Sequence, residues 1–524
     1  MTRVEKVDIV IVGSGAAGSV FAAKLAQSGK SVVILEAGPE RTLKNLYSSQ
    51  IWARRLKWAG PPTETEGPDP VSVAFNSGWG TGGAAVHHYA NWLRLHPEDF
   101  EMQSRFGRGS DWPISYDELR PFYDRIQREV GISGDARAEV WRPAGEPYPM
   151  PPLPVFAQAQ LIAQGFSQLG LRTAPVPMAI NSVVYNGRAA CANDGWCDAG
   201  CTLGALANPL VLHLPQALAA GATIHHHSYV TRVLTNTKGD RARGVEYYDA
   251  KGQRHIQEAD VVVLAAFTVQ NPRILLNSAT ARHPNGLANS SGVVGRYIMA
   301  HSTANVFGLF KEETENFMGR TGGQLLSQES YVKDPHKGYV GGSQWLIGNA
   351  LKPNDLLGIA NSRPELFGNA LHEFLATASQ HLATMTFVGE KLPSSDDRLA
   401  LSEKKDPYGF PLARITHAFG PDAIKCFEAG IKEGQTIFRA AGAYDVWVST
   451  RARMHLMGGV IMGRDARMSV TNSYGQTHDA GNLFIAGSSL FPTGGAVNPT
   501  FSIYALALRS AEYLLAHWGG LTSS

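Results

Sequence analysis

The sequence predicts an α/β fold built on a parallel sheet, and three observations carry that prediction. An unbroken apolar run, VDIVIV, occupies residues 7–12. It leads through GSGAAG at 13–18 into a helical stretch, SVFAAKLAQSG. A second apolar run, SVVIL at 31–35, then ends in Glu36. Short apolar runs bounded by turn residues read as strands buried on both faces. Two of them bracketing a helix form the βαβ unit of a parallel sheet.

Each element has its reason. Gly13, Gly15 and Gly18 stand in G-x-G-x-x-G spacing. Gly13 permits a tight turn, Gly15 lets the backbone approach a pyrophosphate, and Gly18 lets the helix pack closely on the strand. The helix start offers unpaired N–H groups to phosphate, and Glu36 stands where an acid takes a ribose hydroxyl. Gly29 suits a helix C-cap. A lone glycine motif is weak, but here strand, helix, second strand and acid are all in place, so the segment reads as a Rossmann-like dinucleotide site.

NAD and FAD both fit that unit. A second adenine-side segment favours FAD. Residues 222–234, which include Val230, and 244–266 read as short strands leading to a buried strand at 261–265, with a helix beginning in FTVQNPRILLNS. Near the C-terminus, NLFIAGSSLFP at 482–492 gives a strand and a glycine-containing loop at Gly487. The stretch 498–515 has helical spacing, with Asn498 placed as N-cap and Pro499 at the first helical position. A helix N-terminus aimed at a flavin would stabilise its reduced, anionic form.

Composition narrows the partners. The chain has 524 residues, 44% of them hydrophobic, and a net charge of +2. That is enough for a large core, and the balance gives no reason to expect nucleic acid or an acidic membrane surface as partner. The basic run ARRLK at 53–57 reads as a solvated face. No apolar stretch reaches the roughly 18 residues of a membrane span. The N-terminus runs straight into a strand without a signal-peptide pattern, so any export is expected to depend on a partner.

Three of the four cysteines, Cys191, Cys197 and Cys201, fall within CANDGWCDAGC. Four readings stand: small buried thiols, a disulfide with one cysteine left over, zinc, or an iron–sulfur cluster. Zinc usually takes four ligands, and the stretch holds no histidine. The spacing differs from the usual four-cysteine ferredoxin runs. The residues alone leave the choice open. Cys426, on a helical stretch, reads as core.

The segments GWGTGGAAVHHYANWLRLHPEDF at 78–100, HLMGG at 455–459 and the C-terminal block carry a resemblance. The chain resembles the glucose–methanol–choline flavoprotein oxidoreductases over both ends and residues 185–305, and weakly across 305–445. The resemblance implies FAD as cofactor, with Gly82 and Gly83 in a loop over the flavin. HLMGG stands for the family's HPVGT-like segment, departing from it in all but the histidine and one glycine, and the resemblance implies that His455 is the catalytic base. Asn498 takes the second active-site position. His87 takes the position at which some members attach FAD covalently. A neutral imidazole suits removal of a hydroxyl proton, and an asparagine can donate a hydrogen bond to the substrate oxygen.

Within the family, the cysteine loop looks like that of the catalytic subunits of bacterial membrane-linked glucose, fructose and gluconate dehydrogenases. That likeness implies a three-iron, four-sulfide cluster on Cys191, Cys197 and Cys201. The implied activity is an FAD-dependent dehydrogenase that oxidises a hydroxyl of a sugar, polyol or glycoside by hydride transfer to flavin. An oxygen-using oxidase and a lyase on the same fold are the alternatives. The chain has no C-x-x-C-H haem motif. A cytochrome or other acceptor is therefore expected on another polypeptide, beside a small companion subunit at the periplasmic membrane face. A cytoplasmic location is the alternative. The expected FAD-binding domain takes 1–105, 185–305 and 445–524. The expected substrate domain, an antiparallel sheet with helices, takes 106–184 and 306–444.

Overall fold

The computed structural model describes residues 2–3, 5–57, 60–73 and 77–522. Strand Val7–Val12, helix Ala16–Gln27 and strand Val32–Leu35 form the N-terminal βαβ unit, with the two strands paired in parallel. Ile9, Val10 and Ile11 are wholly buried. The helix stops where Gly29, at φ +81°, hands its N–H to Ala26 O while Lys30 N–H returns to Leu25 O. Such a left-handed close is open to glycine at no steric cost.

Strand Arg254–Leu264 pairs in parallel with Val7–Val12 on one side and Leu483–Ile485 on the other. Strand Thr223–His225 extends the sheet beyond Val32–Leu35. Tyr229–Thr235 and Ala242–Tyr248 close the far side as antiparallel strands, completing an eight-stranded mixed sheet. Helix Thr500–Ala516 packs on Ala16–Gln27 and on Tyr116–Val130, so both ends of the chain share one core.

The second layer is a seven-stranded antiparallel sheet around strand Met299–Leu309. Helices Ala157–Gln168 and Pro421–Ala440 cover it. The sheets divide at places other than the expected 305 and 445. Residue 305 lies inside Met299–Leu309, and strands Asp445–Val448 and Ala452–Met457 pair with that same strand. An eleven-residue strand whose residues are nearly all buried belongs to one continuous sheet and cannot be cut without exposing it.

Two local readings are corrected. Helix Gln50–Lys57 carries Arg54 and Arg55 outward, but Lys57 is only 8% exposed. Asn498 does not cap the last helix. Pro499 is the N-cap, and no side chain closes it. The asparagine side chain is used elsewhere. Among the described residues, no helix is long and apolar enough to cross a membrane.

Candidate active site

A long cavity opens at the carboxyl ends of the parallel strands, the crevice in which open α/β sheets bind ligands. Its near wall is the glycine turn. A Cβ on Gly18 would lie 2.0 Å from Gly13 O, and one on Gly13 would lie 2.6 Å from Ala265 O. Those two glycines are therefore demanded by the turn itself. A Cβ on Gly15 would meet nothing nearer than Gly82 O at 3.9 Å, and one on Gly487 nothing within 4 Å. Both line the cavity, so their bare backbone faces the ligand space. This is the cradle that a pyrophosphate requires.

Glu36 stands in the wall, 6% exposed. One of its oxygens accepts from Ser14 N and Oγ at 3.1 and 2.6 Å; the other accepts from Gly38 N and Gly80 N at 2.9 and 3.1 Å. The carboxylate thus also fastens three loops around the nucleotide end. Val230 lines the same end with Tyr229. Gly83 lines the cavity. Gly82 sits one residue back and donates its N–H to Ser14 Oγ at 3.0 Å, and Gly18 is likewise behind the wall.

His87 and His88 both reach the cavity. His87 Nε2 lies 3.1 Å from Ser77 O, which can only accept, so Nε2 carries the proton. His88 Nδ1 lies 2.8 Å from Ala85 O, and its Nε2 accepts from Trp92 Nε1 at 3.1 Å. Burial pushes both imidazoles down, to about 3 and about 4.

At the far end, His455 and Asn498 meet. Asn498 Nδ2 lies 3.1 Å from His455 Nε2. His455 sits on strand Ala452–Met457 with φ +58°. A left-handed histidine within a strand marks strain that the surroundings must hold in place. The cause is a register shift: His301 pairs with Met454, whereas Met299 pairs with Met457. One strand carries an extra residue there, a bulge that re-aims the imidazole. Behind it, His301 Nδ1 lies 3.0 Å from His455 Nδ1, and His301 Nε2 lies 2.8 Å from Gly495 O. Burial, with His301 adding to it, lowers His455 to about 3; burial lowers His301 to about 4. Both rings are therefore neutral at physiological pH.

The three clustered cysteines lie near one another, and none is bonded to another. Their thiols interact electrostatically, and burial pushes Cys197 up to about 12. Backbone N–H groups reach the sulfurs: Asn193 N to Cys191 Sγ at 3.3 Å, Leu206 N to Cys201 Sγ at 3.5 Å, and Thr321 N to Cys197. Two buried guanidinium groups stand beside them, Arg320 near Cys191 and Cys197, and Arg188 near Cys201. Each leaves its Nε without a partner among the described residues. Within that same set, no three His, Cys, Asp or Glu side chains are disposed to hold a single metal ion. Thiolates on one zinc ion would have to crowd within about 4 Å of each other, given bonds near 2.3 Å.

The cysteine loop leans on the cavity wall. A Cβ on Gly200 would touch Val86 and Leu46 at 3.0 and 3.1 Å, and Val86 ends the turn Gly83–Val86 that precedes His87. Lys57, in the cavity wall, pairs with Asp198 of the loop at 2.7 Å. Cys426 is a buried core thiol on helix Pro421–Ala440.

A glycine cradle for a dinucleotide, ending at a histidine–asparagine pair, defines an FAD-dependent oxidoreductase acting on CH–OH groups. The chain belongs to the GMC oxidoreductase family. Residues 7–303 match its N-terminal model and 393–507 its C-terminal model. It is 32% identical to 2-methyl-1,2-propanediol dehydrogenase of Mycolicibacterium austroafricanum, over 98% of this chain and 96% of that one. It is 30% identical to the fructose dehydrogenase large subunit of Gluconobacter japonicus, over 97% of each. Among solved structures, pyridoxine 4-oxidase from Mesorbium loti aligns with TM-score 0.65 at 18% identity, over 98% of this chain and 99% of that one. Formate oxidase aligns with TM-score 0.68 at 16% identity, over 99% and 100%. These two likenesses speak to the fold.

Sequence reasoning singles out His455 and Asn498 but misses His301, Gln344 and Lys57 as neighbours of the site. His301 leaves one trace: a histidine inside the otherwise buried run MAHSTANVFGL. Gln344 and Lys57 leave none.

Proposed function

We propose that this protein is a dehydrogenase that oxidises a hydroxyl of a sugar or other polyol. Its electrons leave through a three-iron cluster on Cys191, Cys197 and Cys201. The observation that carries the reading is the grouping of three thiols, with N–H donors and two buried guanidiniums, in a loop that the Lys57–Asp198 pair ties to the flavin-cavity wall. An oxidase handing electrons to oxygen needs no such relay. The named relatives, a diol dehydrogenase and a fructose dehydrogenase subunit, support a polyol substrate.

Bound FAD would be held by the backbone of Gly13, Gly15 and Gly487, with Glu36, Gly83, His87 and Val230 around it, and would supply the hydride acceptor. The chain's own residues do the rest. Asn498 Nδ2 donates a hydrogen bond to the hydroxyl oxygen of the substrate. His455 Nε2 takes the hydroxyl proton. The carbon loses its hydride, and the product is a carbonyl.

The acceptor in this reading is a cytochrome or similar protein, reached with a small companion subunit at the periplasmic face of a membrane. Iron and acid-labile sulfide in the purified protein test the relay. Cys197→Ser should remove the iron and the turnover of an acceptor protein while FAD stays bound. Protein without iron and sulfide, or with stoichiometric zinc, sinks the relay. Turnover of a sugar and polyol panel with an artificial acceptor, against oxygen, then separates dehydrogenase from oxidase.

A further inference from the structure

The hydrogen bonds around His455 run on in both directions, and a single carbonyl dictates the direction of every one. Gly495 O can only accept, so His301 Nε2 must carry a proton. His301 is neutral, so its Nδ1 is an acceptor, and the proton between the two rings belongs to His455 Nδ1. That leaves His455 Nε2 as a lone pair, which demands the NH₂ end of Asn498. Asn498 Oδ1 then faces away and accepts from Gln344 Nε2 at 3.4 Å. Gln344 Oε1 in turn accepts from Gln328 Nε2 at 2.9 Å, and Gln328 Oε1 faces His96 Nε2 at 3.3 Å. The orientations of all three amides obey the order that Gly495 O imposes.

Both ends of this chain of bonds are fastened to one loop. His96 stacks on Tyr331 at 4.0 Å. The Tyr331 hydroxyl accepts from Ala496 N at 3.1 Å and donates to Asp99 Oδ2 at 2.7 Å. Asp99 pairs with the fully buried Lys333 at 3.0 Å. The side chains concerned, Gln328, Gln344 and His301, are each 1% exposed, so water does not compete for these bonds.

We propose that His301 and Gln344 are positioning residues for the proton transfer. His301 keeps the proton of His455 on Nδ1, so that Nε2 carries the lone pair, which serves as the base once the substrate hydroxyl takes the place of the Asn498 bond. Gln344 keeps the Asn498 amide turned with its NH₂ toward the reacting oxygen. This rests on the reading of His455 as the base. His301 is not a relay, because Gly495 O cannot take up a proton. When His455 Nε2 accepts the hydroxyl proton, its Nδ1–H stays on His455, bonded to the neutral His301. A histidine whose tautomer is set by the bond at its other nitrogen is a general device.

The test is anaerobic flavin reduction in the holoenzyme, with 2-methyl-1,2-propanediol, D-fructose and D-gluconate as trial reductants and the fastest of them retained. His301→Ala should slow the limiting rate by roughly 10- to 100-fold, the worth of one charge-assisted bond. FAD content and the apparent substrate affinity should be kept. His301→Gln should recover to within about fivefold, since its carbonyl can accept from His455 Nδ1–H and its amide can donate to Gly495 O. Gln344→Glu, which has no N–H to offer Asn498, should slow reduction by about tenfold. In ¹⁵N-histidine-labelled protein, His455 should show an unprotonated Nε2 in the wild type and in His301→Gln. Wild-type rates in His301→Ala would overturn the proposal, as would a His301→Gln as slow as the alanine variant. So would an unprotonated Nδ1 on His455. Should the alanine variant fail to fold, the glutamine variant and the ¹⁵N signature decide. If His455→Ala itself reduces flavin at the wild-type rate, the base assignment has failed and not merely its positioning.

Discussion

The Lys57 ammonium lies 2.7 Å from the Asp198 carboxylate, and the two side chains are only 10% and 12% exposed. The pair joins the flavin-cavity wall to the cysteine loop. Lys57 also lies 5.6 Å from the centre of the Tyr89 ring. Removing one member of such a pair strands the other charge away from water. Lys57→Met should therefore destabilise the fold by about 3 kcal/mol. Adding Asp198→Asn should return much of that loss. Thermal melts of the two variants check this, and a single variant as stable as the wild type would show the pair to be dispensable.

Gly15 and Gly18 should fail differently. The Cβ of Gly18→Ala collides with Gly13 O at 2.0 Å. That overpacking should cost about 1–3 kcal/mol and weaken the apoprotein itself. The Cβ of Gly15→Ala has room in the chain but projects toward the ligand space. It should lower FAD affinity while the melting temperature of the apoprotein stays within about 0.5 °C of wild type, a change under about 0.5 kcal/mol. Equal loss of apoprotein stability in both variants would contradict this division.

Buried histidines set an acid limb on stability. His87, His88, His301, His417 and His455 are all held below 6.5, at about 3 to 4, by burial. The unfolded chain takes up protons on these groups near pH 6.5 while the folded one does not. Stability should thus be full above about pH 6.5 and fall as pH drops toward 4, by up to about 1.4 kcal/mol per histidine per pH unit. Urea midpoints at about pH 7 and about pH 5 test the sign. For the same reason, flavin reduction should show no loss between about pH 8 and about pH 5 from protonation of His455.

FAD should be released by acid precipitation. His87 Nε2 is occupied with Ser77 O at 3.1 Å. While it donates to that carbonyl, Nε2 has no lone pair to bond to the flavin, and only Nδ1 could do so. A yellow supernatant is the expected result, and a yellow pellet would show that His87 turns to make the bond.

The sequence alone determined the βαβ unit, because its signals are local. A buried strand needs a run of apolar residues, a helix end needs Gly29, and the turn needs glycine wherever a Cβ would strike backbone. Those demands are met by neighbours a few residues away, so spacing reveals them. His455, Asn498, His87 and the three cysteines were legible for another reason: they stand in short segments that resemble a family's. What only the tertiary structure decided is how polar side chains pair. Lys57 belongs to a run that reads as solvated, yet it is buried against Asp198, 141 residues on. Asn498 reads as a helix cap, yet its amide turns to His455 and Gln344. The bulge that aims His455 is an extra residue relative to a partner strand, and His301 meets it across 154 residues. Periodicity tells which face of a strand is buried. It says nothing of which donor meets which acceptor there, because that depends on how the two sheets and the 494–496 loop come together in space.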